Sequence, residues 1–157
     1  MNTIQKIFTY NQINDGKPEE VFPLLCPVRE KDWLDGWEYK MIYSKSGLVE
    51  KDCVFFTPHH GKLDTIWYVS RYDPNNFKVE FIRVTPNDSV VKINISLSPT
   101  DDNKTEANIS YQYTGLNEEQ NNFIQNGLEE QFNKNMKWWE KSINHYLNTG
   151  KKLINNE

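Results

Sequence analysis

The last third of the chain carries a helical pattern of large apolar residues. Between Leu116 and Leu147 these residues recur every three or four positions, with polar residues between them. That spacing is typical of one stripe of an α-helix about 45 Å long and excludes a strand face. Asn117 predicts the N-terminal cap and Gly150 the end, and a broad apolar surface must cover the stripe. The stripe consists of Ile124, Leu128, Phe132, Met136, Trp139, Ile143 and Leu147.

The first two thirds of the chain show strand patterns separated by turn residues. Two short helices, which open with Pro18 and Pro27, follow the first strand. Consecutive strands with short connections form an antiparallel meander, and a twisted sheet of seven strands curves enough to cover the helix. We expect one α+β domain over residues 1–150 and a frayed polar tail over 151–157. The predicted strands span residues 3–13, 37–45, 52–57, 64–72, 77–85, 90–98 and 105–114.

Two hairpin loops predict which residues face the helix. A loop over 73–76 pairs Val69 with Glu80, and a loop over 86–89 pairs Thr85 with Val90. A single β-bulge would turn one strand over, because side chains alternate with a period of two. The predicted concave face consists of Trp67, Val69, Arg71, Glu80, Ile82, Val84, Val91, Ile93, Ile95, Leu97, Ala107, Ile109, Tyr111 and Tyr113.

Charge and cysteine content narrow the functional classes. The 157 residues are 25% charged with a net charge of −4 and no basic stripe, so we expect no nucleic-acid partner. Apolar runs are only a few residues long, so we expect no membrane span. Cys26 and Cys53 are too few for a disulfide framework, and the N-terminus lacks the pattern of a signal peptide. We therefore expect reduced thiols in a cytoplasmic protein.

The order of elements resembles the START-like, or SRPBCC, superfamily of helix-grip proteins, which includes polyketide cyclases, lipid-transfer domains and birch-pollen-type allergens. The resemblance covers residues 4–147. It implies a hydrophobic cavity between the concave sheet and the long helix, with the short helices near one end. It brings no catalytic signature, so whether the protein is an enzyme stays open. The resemblance is carried by three segments: PEEVFPLLCPVREKDWLDGW (18–37), TIWYVSRYDPNNFKVEFIRV (65–84) and YQYTGLNEEQ (111–120).

With that cavity implied, nine residues become candidate ligand contacts. Trp33 and Trp37 lie where the resemblance places the opening, and they pack in the core, anchor the short helices or contact a ligand. Arg71 and Glu80 are diagonal neighbours on the predicted concave face, where unpaired charges are costly. They should therefore pair with each other or with a ligand, unless they reach water at the rim. The predicted lining is Trp67, Ile93, Tyr111, Phe132 and Met136.

The sequence shows no motif for a metal or a nucleophile. His59 and His60 are adjacent in a turn, and no cysteine or carboxylate cluster with zinc spacing lies nearby. Neither cysteine has a base in a sequence relation typical of a catalytic thiol. We predict no metal site, no cofactor and no assignable catalytic residue.

Three functions remain open. The first is a binding module for a small, mostly hydrophobic ligand, oriented by Arg71, Glu80 or a tyrosine. The second is a cyclase or hydratase type of enzyme that uses the same cavity, with Glu80 and Tyr111 as an acid–base pair. The third is a protein-interaction module, like a chaperone co-factor domain, whose outer face binds a partner or a second copy as a homodimer. That face would contain Tyr68, Tyr72, Phe77 and Phe81.

Overall fold

The structure of the protein is a computed structural model that describes residues 3–156. The strands are β1 (Gln5–Asn14), β2 (Lys40–Tyr43), β3 (Val54–Thr57), β4 (Thr65–Asp73), β5 (Lys78–Thr85), β6 (Ser89–Pro99) and β7 (Thr105–Gly115). The helices are α1 (Pro18–Val21), a 3₁₀ helix (Phe22–Leu25), α2 (Pro27–Trp33), α3 (Glu118–Asn126) and α4 (Leu128–Thr149).

The seven strands form one antiparallel sheet in the order β1-β7-β6-β5-β4-β3-β2. The sheet curves around α4, and Ile93 and Ile109 on its concave face are buried together with Phe132 of the helix. The three short helices after β1 pack into the same core, with Trp33 of α2 fully buried. The predicted helix-grip fold is confirmed.

The C-terminal helix is interrupted, whereas its apolar pattern predicts a continuous rod. Helix α3 ends where the Gly127 N–H donates to the Phe123 carbonyl at 2.8 Å, and α4 starts at the next residue. Gly127 has a φ of −133°, outside the helical range. Glycine is a weak helix former, so a break costs least there. The predicted ends are confirmed. The Asn117 side chain accepts a hydrogen bond from the Gln120 N–H at 2.8 Å, and Gly150 adopts a left-handed φ of 71°.

The predicted face of β5 is wrong because β4 contains a β-bulge. The register shifts between Val69 and Arg71, so Val69 pairs with Phe81 and Arg71 pairs with Glu80. One extra residue in β4 reverses the alternation of β5 relative to the prediction. Arg71 is exposed, and Glu80 accepts a hydrogen bond from the Ser70 hydroxyl at 2.8 Å on the convex face. The concave residues of β5 are Val79, Phe81, Arg83 and Thr85.

The predicted register of the β5–β6 hairpin is also wrong, and this error cancels the effect of the β4 bulge on the orientation of β6. The β5–β6 turn is one residue shorter than predicted, so Thr85 pairs with Ser89, and Asn87 adopts a left-handed φ of 67°. Strand β6 consequently keeps its predicted orientation although β5 does not. Its residues Val91, Ile93, Ile95 and Leu97 are all buried.

The segment after Gly150 packs back onto the protein, whereas the sequence predicts a frayed tail. Leu153 forms a parallel bridge with Leu34, and the Asn155 N–H donates to the Asp35 carboxylate at 3.0 Å. Residues 151–156 thus cover the end of α2. Among residues 3–156, no helix combines the length and the apolar composition needed to cross a membrane.

The predicted outer patch of four aromatic residues is not formed. Only Tyr68 lies on the convex face, where it is 39% exposed. Phe81 is buried on the concave face, and Tyr72 and Phe77 pack against Phe22 with ring centroids 5.7 and 5.8 Å apart. The β4 bulge explains the change, because it reverses the face of β5.

Candidate functional site

An inner cavity of about 160 Å³ lies between the concave sheet and helices α2 and α4. Its walls are mostly aromatic or branched aliphatic, and three polar residues, Glu30, Arg83 and Tyr111, reach it. Such a combination of apolar walls and few polar groups is typical of a small-molecule site. The full lining is Leu25, Pro27, Glu30, Leu34, Trp37, Phe55, Trp67, Phe81, Arg83, Ile93, Ile95, Tyr111 and Trp139.

Arg83 is held among aromatic rings on the concave face of β5. Its guanidinium carbon lies 5.4 Å from the ring centroid of Trp67, 5.7 Å from that of Tyr111 and 5.8 Å from that of Tyr113. These distances are within the range of cation–π attraction. One guanidinium N–H donates to the Tyr113 hydroxyl at 3.3 Å. Within residues 3–156, Arg83 takes part in no ion pair.

Glu30 brings a carboxyl group to the cavity from helix α2. The residue is half-buried as a whole, but its carboxyl group is enclosed by protein atoms. Desolvation by burial raises the pKa of Glu30 well above its ordinary value, and no cation offsets that effect. Burial therefore disfavours the charged carboxylate, and the carboxyl group can donate a hydrogen bond into the cavity when it is protonated.

The hydroxyl of Tyr111 is in the same buried environment as the Glu30 carboxyl group. Burial is the main cause that raises the pKa of Tyr111; Arg83 lowers it by a smaller amount, and Tyr113 and Glu30 raise it further. Tyr111 consequently remains a neutral donor throughout the physiological range. Its ring packs edge-on against Phe132 at 5.2 Å, which orients the side chain from the α4 side.

Two outer pockets adjoin the inner cavity at Arg83. One, of about 430 Å³, lies on the α4 side and includes Phe132 and Met136. The other, of about 500 Å³, lies beside the β3–β4 loop and includes Trp37 and Trp67. Because Arg83 lines all three spaces, its guanidinium lies at the point where a ligand could extend in either direction.

A histidine–aspartate pair lies at the rim of the outer pockets. The His59 Nε2 atom lies 3.0 Å from an Asp88 carboxylate oxygen and joins the β3–β4 loop to the β5–β6 turn. His59 lines both outer pockets. The adjacent His60 is exposed and lines only the pocket beside its own loop.

The structure brings most of the predicted contact residues together. Trp37, Trp67, Ile93 and Tyr111 line the inner cavity, while Phe132 and Met136 line the α4-side pocket. Trp33 belongs to the core instead: it is 0% exposed, packs against Trp139 at 5.1 Å and donates to the Leu24 carbonyl at 2.9 Å.

The predicted polar contacts Arg71 and Glu80 lie outside the cavity, on the convex face. Two other residues, Arg83 and Glu30, take their place at the lining. The two predicted hairpins leave Arg83 out of the concave face, because the β4 bulge has no signal in the sequence. Glu30 sits in the polar run REKD, and α2 is too short for its periodicity to indicate which face is buried.

Comparison with solved structures supports the fold. Mll3558 from Rhizobium loti is 15% identical, with 90% of this chain and 99% of that chain covered at a TM-score of 0.64. Norcoclaurine synthase from Thalictrum flavum is 10% identical, with coverages of 94% and 88% and a TM-score of 0.67. An uncharacterised protein from Rhizobium leguminosarum is 9% identical, with 94% and 97% covered at 0.68.

These neighbours are of the START-like, birch-pollen-allergen type, so this chain has the START-like helix-grip fold. No protein-family model matches the chain, and no curated protein matches it in sequence. At identities of this size the likeness concerns the fold alone, and any function has to be argued from the site.

Proposed function

We propose that the protein binds a small, mostly apolar ligand in the inner cavity between the sheet and the helices. The observation that carries this proposal is the aromatic-walled space of about 160 Å³ into which a few polar groups converge. Close-packed protein interiors rarely contain spaces much larger than a water molecule, so a space of this size needs an explanation. A ligand that extends past Arg83 would also occupy an outer pocket.

One further observation supports ligand binding, and a second concerns the location of the protein. Structural neighbours of the same fold include a norcoclaurine synthase, so a protein of this shape can accommodate a small organic molecule. Cys26 and Cys53 are both buried and free, which fits the cytoplasmic location we propose, where thiols stay reduced.

The experiments test whether the protein binds a small apolar molecule and whether that molecule occupies the inner cavity. Native mass spectrometry of the purified protein looks for a retained ligand. N-phenyl-1-naphthylamine, a neutral dye that fluoresces in apolar surroundings, should bind with about one equivalent. Replacing Ile95, which lines the cavity, with phenylalanine should fill the space and weaken dye binding at least tenfold.

Leu97→Phe provides the matched control. Leu97 is buried on the same face of β6, two positions along, but does not line the cavity. Both substitutions replace a buried aliphatic side chain of β6 with the same aromatic ring, but only Ile95→Phe places that ring in the cavity. If the two variants bind the dye equally well, or if the unmodified protein binds none, the cavity is not a ligand site.

An acid–base enzyme is the second candidate, since Glu30 and Tyr111 line the same cavity as Arg83. Glu80 is on the convex face, so Glu30 replaces it as the carboxyl group of this proposal. The deprotonated fraction of Glu30 would act as the base: its carboxylate takes a proton from the carbon next to a ketone, while the electron pair moves to the ketone oxygen that Arg83 binds. Deuterium exchange of 2-tetralone, followed by NMR, should be accelerated by the protein and not by Glu30→Gln. An equal rate with both proteins would exclude this role.

A further inference from the structure

We infer that the ligand of this cavity is a monoanion, with a planar apolar body and one carboxylate or similar oxyanion that pairs with Arg83. This inference rests on the proposed function and names the chemical class of its ligand.

Arg83 is the one permanently charged cation of the described residues that line the inner cavity and the two outer pockets. A guanidinium group stays charged at any physiological pH. Of its five N–H donors, one is directed to the Tyr113 hydroxyl. The remaining donors are available to water or to an acceptor on a ligand.

The carboxyl groups that share these spaces do not neutralise Arg83. Burial raises the pKa of Glu30 well above its ordinary value and so disfavours the charged carboxylate that could pair with Arg83. Asp88, at the rim of the α4-side pocket, is engaged with His59 at 3.0 Å. Glu38, which lines the other outer pocket, is exposed to water. A partly desolvated cation without a counterion attracts an anion strongly.

The rings around Arg83 fix the direction in which an anion can approach. Trp67 is stacked on Phe55 with ring centroids 5.3 Å apart and planes inclined by 14°. Rings of Trp67, Tyr111 and Tyr113 flank the guanidinium group, so little rotational freedom has to be lost when a ligand binds. Flat aromatic walls and a space of about 160 Å³ suit one ring or two fused rings.

The experiment compares two probes of nearly the same shape, of which one carries a negative charge and the other is neutral. Naphthalene-2-carboxylate and naphthalene-2-carboxamide have the same planar body, and calorimetric titration gives the dissociation constant of each. We expect the carboxylate to bind at least tenfold more tightly. In Arg83→Gln this preference should disappear, while the affinity for the carboxamide changes less than threefold.

Two further variants control for charge and for folding. Lys92→Gln removes one positive charge from the convex face of the neighbouring strand β6 and should keep the preference. Arg83→Lys keeps the charge at the site, so it should retain more of the preference than Arg83→Gln. Thermal unfolding checks that each variant folds; if Arg83→Gln does not fold, the two probes with the unmodified protein and with Arg83→Lys decide.

Each outcome separates the inference from the proposed function. If both probes bind the unmodified protein equally well, the cavity binds ligands but does not select anions. If Arg83→Gln weakens both probes equally, Arg83 is not the group that selects the anion. If Lys92→Gln abolishes the preference as well, the overall charge and not Arg83 is responsible. If neither probe binds, the proposed function fails and the inference fails with it.

Discussion

Glu30 holds a carboxyl group in the cavity wall, where burial raises its pKa well above the ordinary value. The folded protein therefore keeps this proton to a higher pH than the unfolded chain, whose glutamate pKa is about 4.3. The stability that Glu30 contributes is complete below that unfolded pKa and is lost as pH rises through the folded pKa. At neutral pH the side chain thus makes the protein less stable than an uncharged isostere would.

Replacing Glu30 with glutamine should consequently raise the free energy of unfolding at pH 8, by about 1.4 kcal/mol for each unit by which the folded pKa is elevated. At pH 4 the two proteins should differ little, since the native carboxyl group is then neutral. Urea unfolding between pH 4 and 8 measures this. Glu106→Gln, on an exposed residue of β7, is the control and should show no such rise. A loss of stability in Glu30→Gln at pH 8 would mean that a cation pairs with the carboxylate.

At the scale of elements, α4 is bound to the sheet by a narrow row of side chains. Phe132 is 3% exposed and packs against Phe8 at 5.7 Å and Tyr111 at 5.2 Å. Trp138 lies on the flank of the helix and borders the α4-side pocket. The stability of the helix–sheet contact should therefore depend far more on Phe132 than on Trp138.

Phe132→Ala should lower the free energy of unfolding by about 3–5 kcal/mol, the usual cost of removing a buried aromatic ring. Trp138→Ala should cost roughly 1 kcal/mol, because its side chain is only partly buried. Chemical denaturation of both variants gives the comparison. Similar losses would show that α4 is buried over a wider arc than its apolar stripe indicates.

For the whole molecule, the rim of the cavity is closed by contacts between three separate segments. His59 joins the β3–β4 loop to the β5–β6 turn through Asp88. The Asp88 carbonyl in turn accepts the Leu116 N–H at 2.9 Å, just before α3. These contacts connect the loops that surround the outer pockets with the start of the C-terminal helices.

Breaking this connection should speed ligand exchange without changing the lining of the inner cavity, to which His59 does not belong. We expect His59→Ala to raise both the association and the dissociation rate of N-phenyl-1-naphthylamine at least threefold, with a smaller change in affinity. Stopped-flow fluorescence measures both rates. His60→Ala, at the exposed neighbouring position, should leave them unchanged. Equal effects of the two substitutions would indicate that the loop as a whole, and not the His59–Asp88 pair, controls exchange.

Local sequence patterns correctly predict residues whose burial repeats along one face of a helix or a strand. The apolar stripe of the C-terminal helices and the alternation of β6 and β7 both agree with the structure, as do the caps at Asn117 and Gly150. Burial of apolar surface on one face of a regular element leaves a repeating trace in the sequence. Hence the helix-grip architecture and part of the apolar lining, such as Trp67, Ile93 and Tyr111, were predictable.

The polar part of the site was decided by tertiary structure alone. A one-residue bulge in β4 moves Arg83 to the concave face and Glu80 to the convex face, and nothing in the local sequence marks it. Glu30 becomes enclosed only when α2 packs over the sheet, and Gly127 breaks the helix although the apolar pattern continues through it. Periodic burial is a local property that a sequence records directly. Strand register and the environment of a single charged group depend on contacts between distant segments, and these exist only in the folded chain.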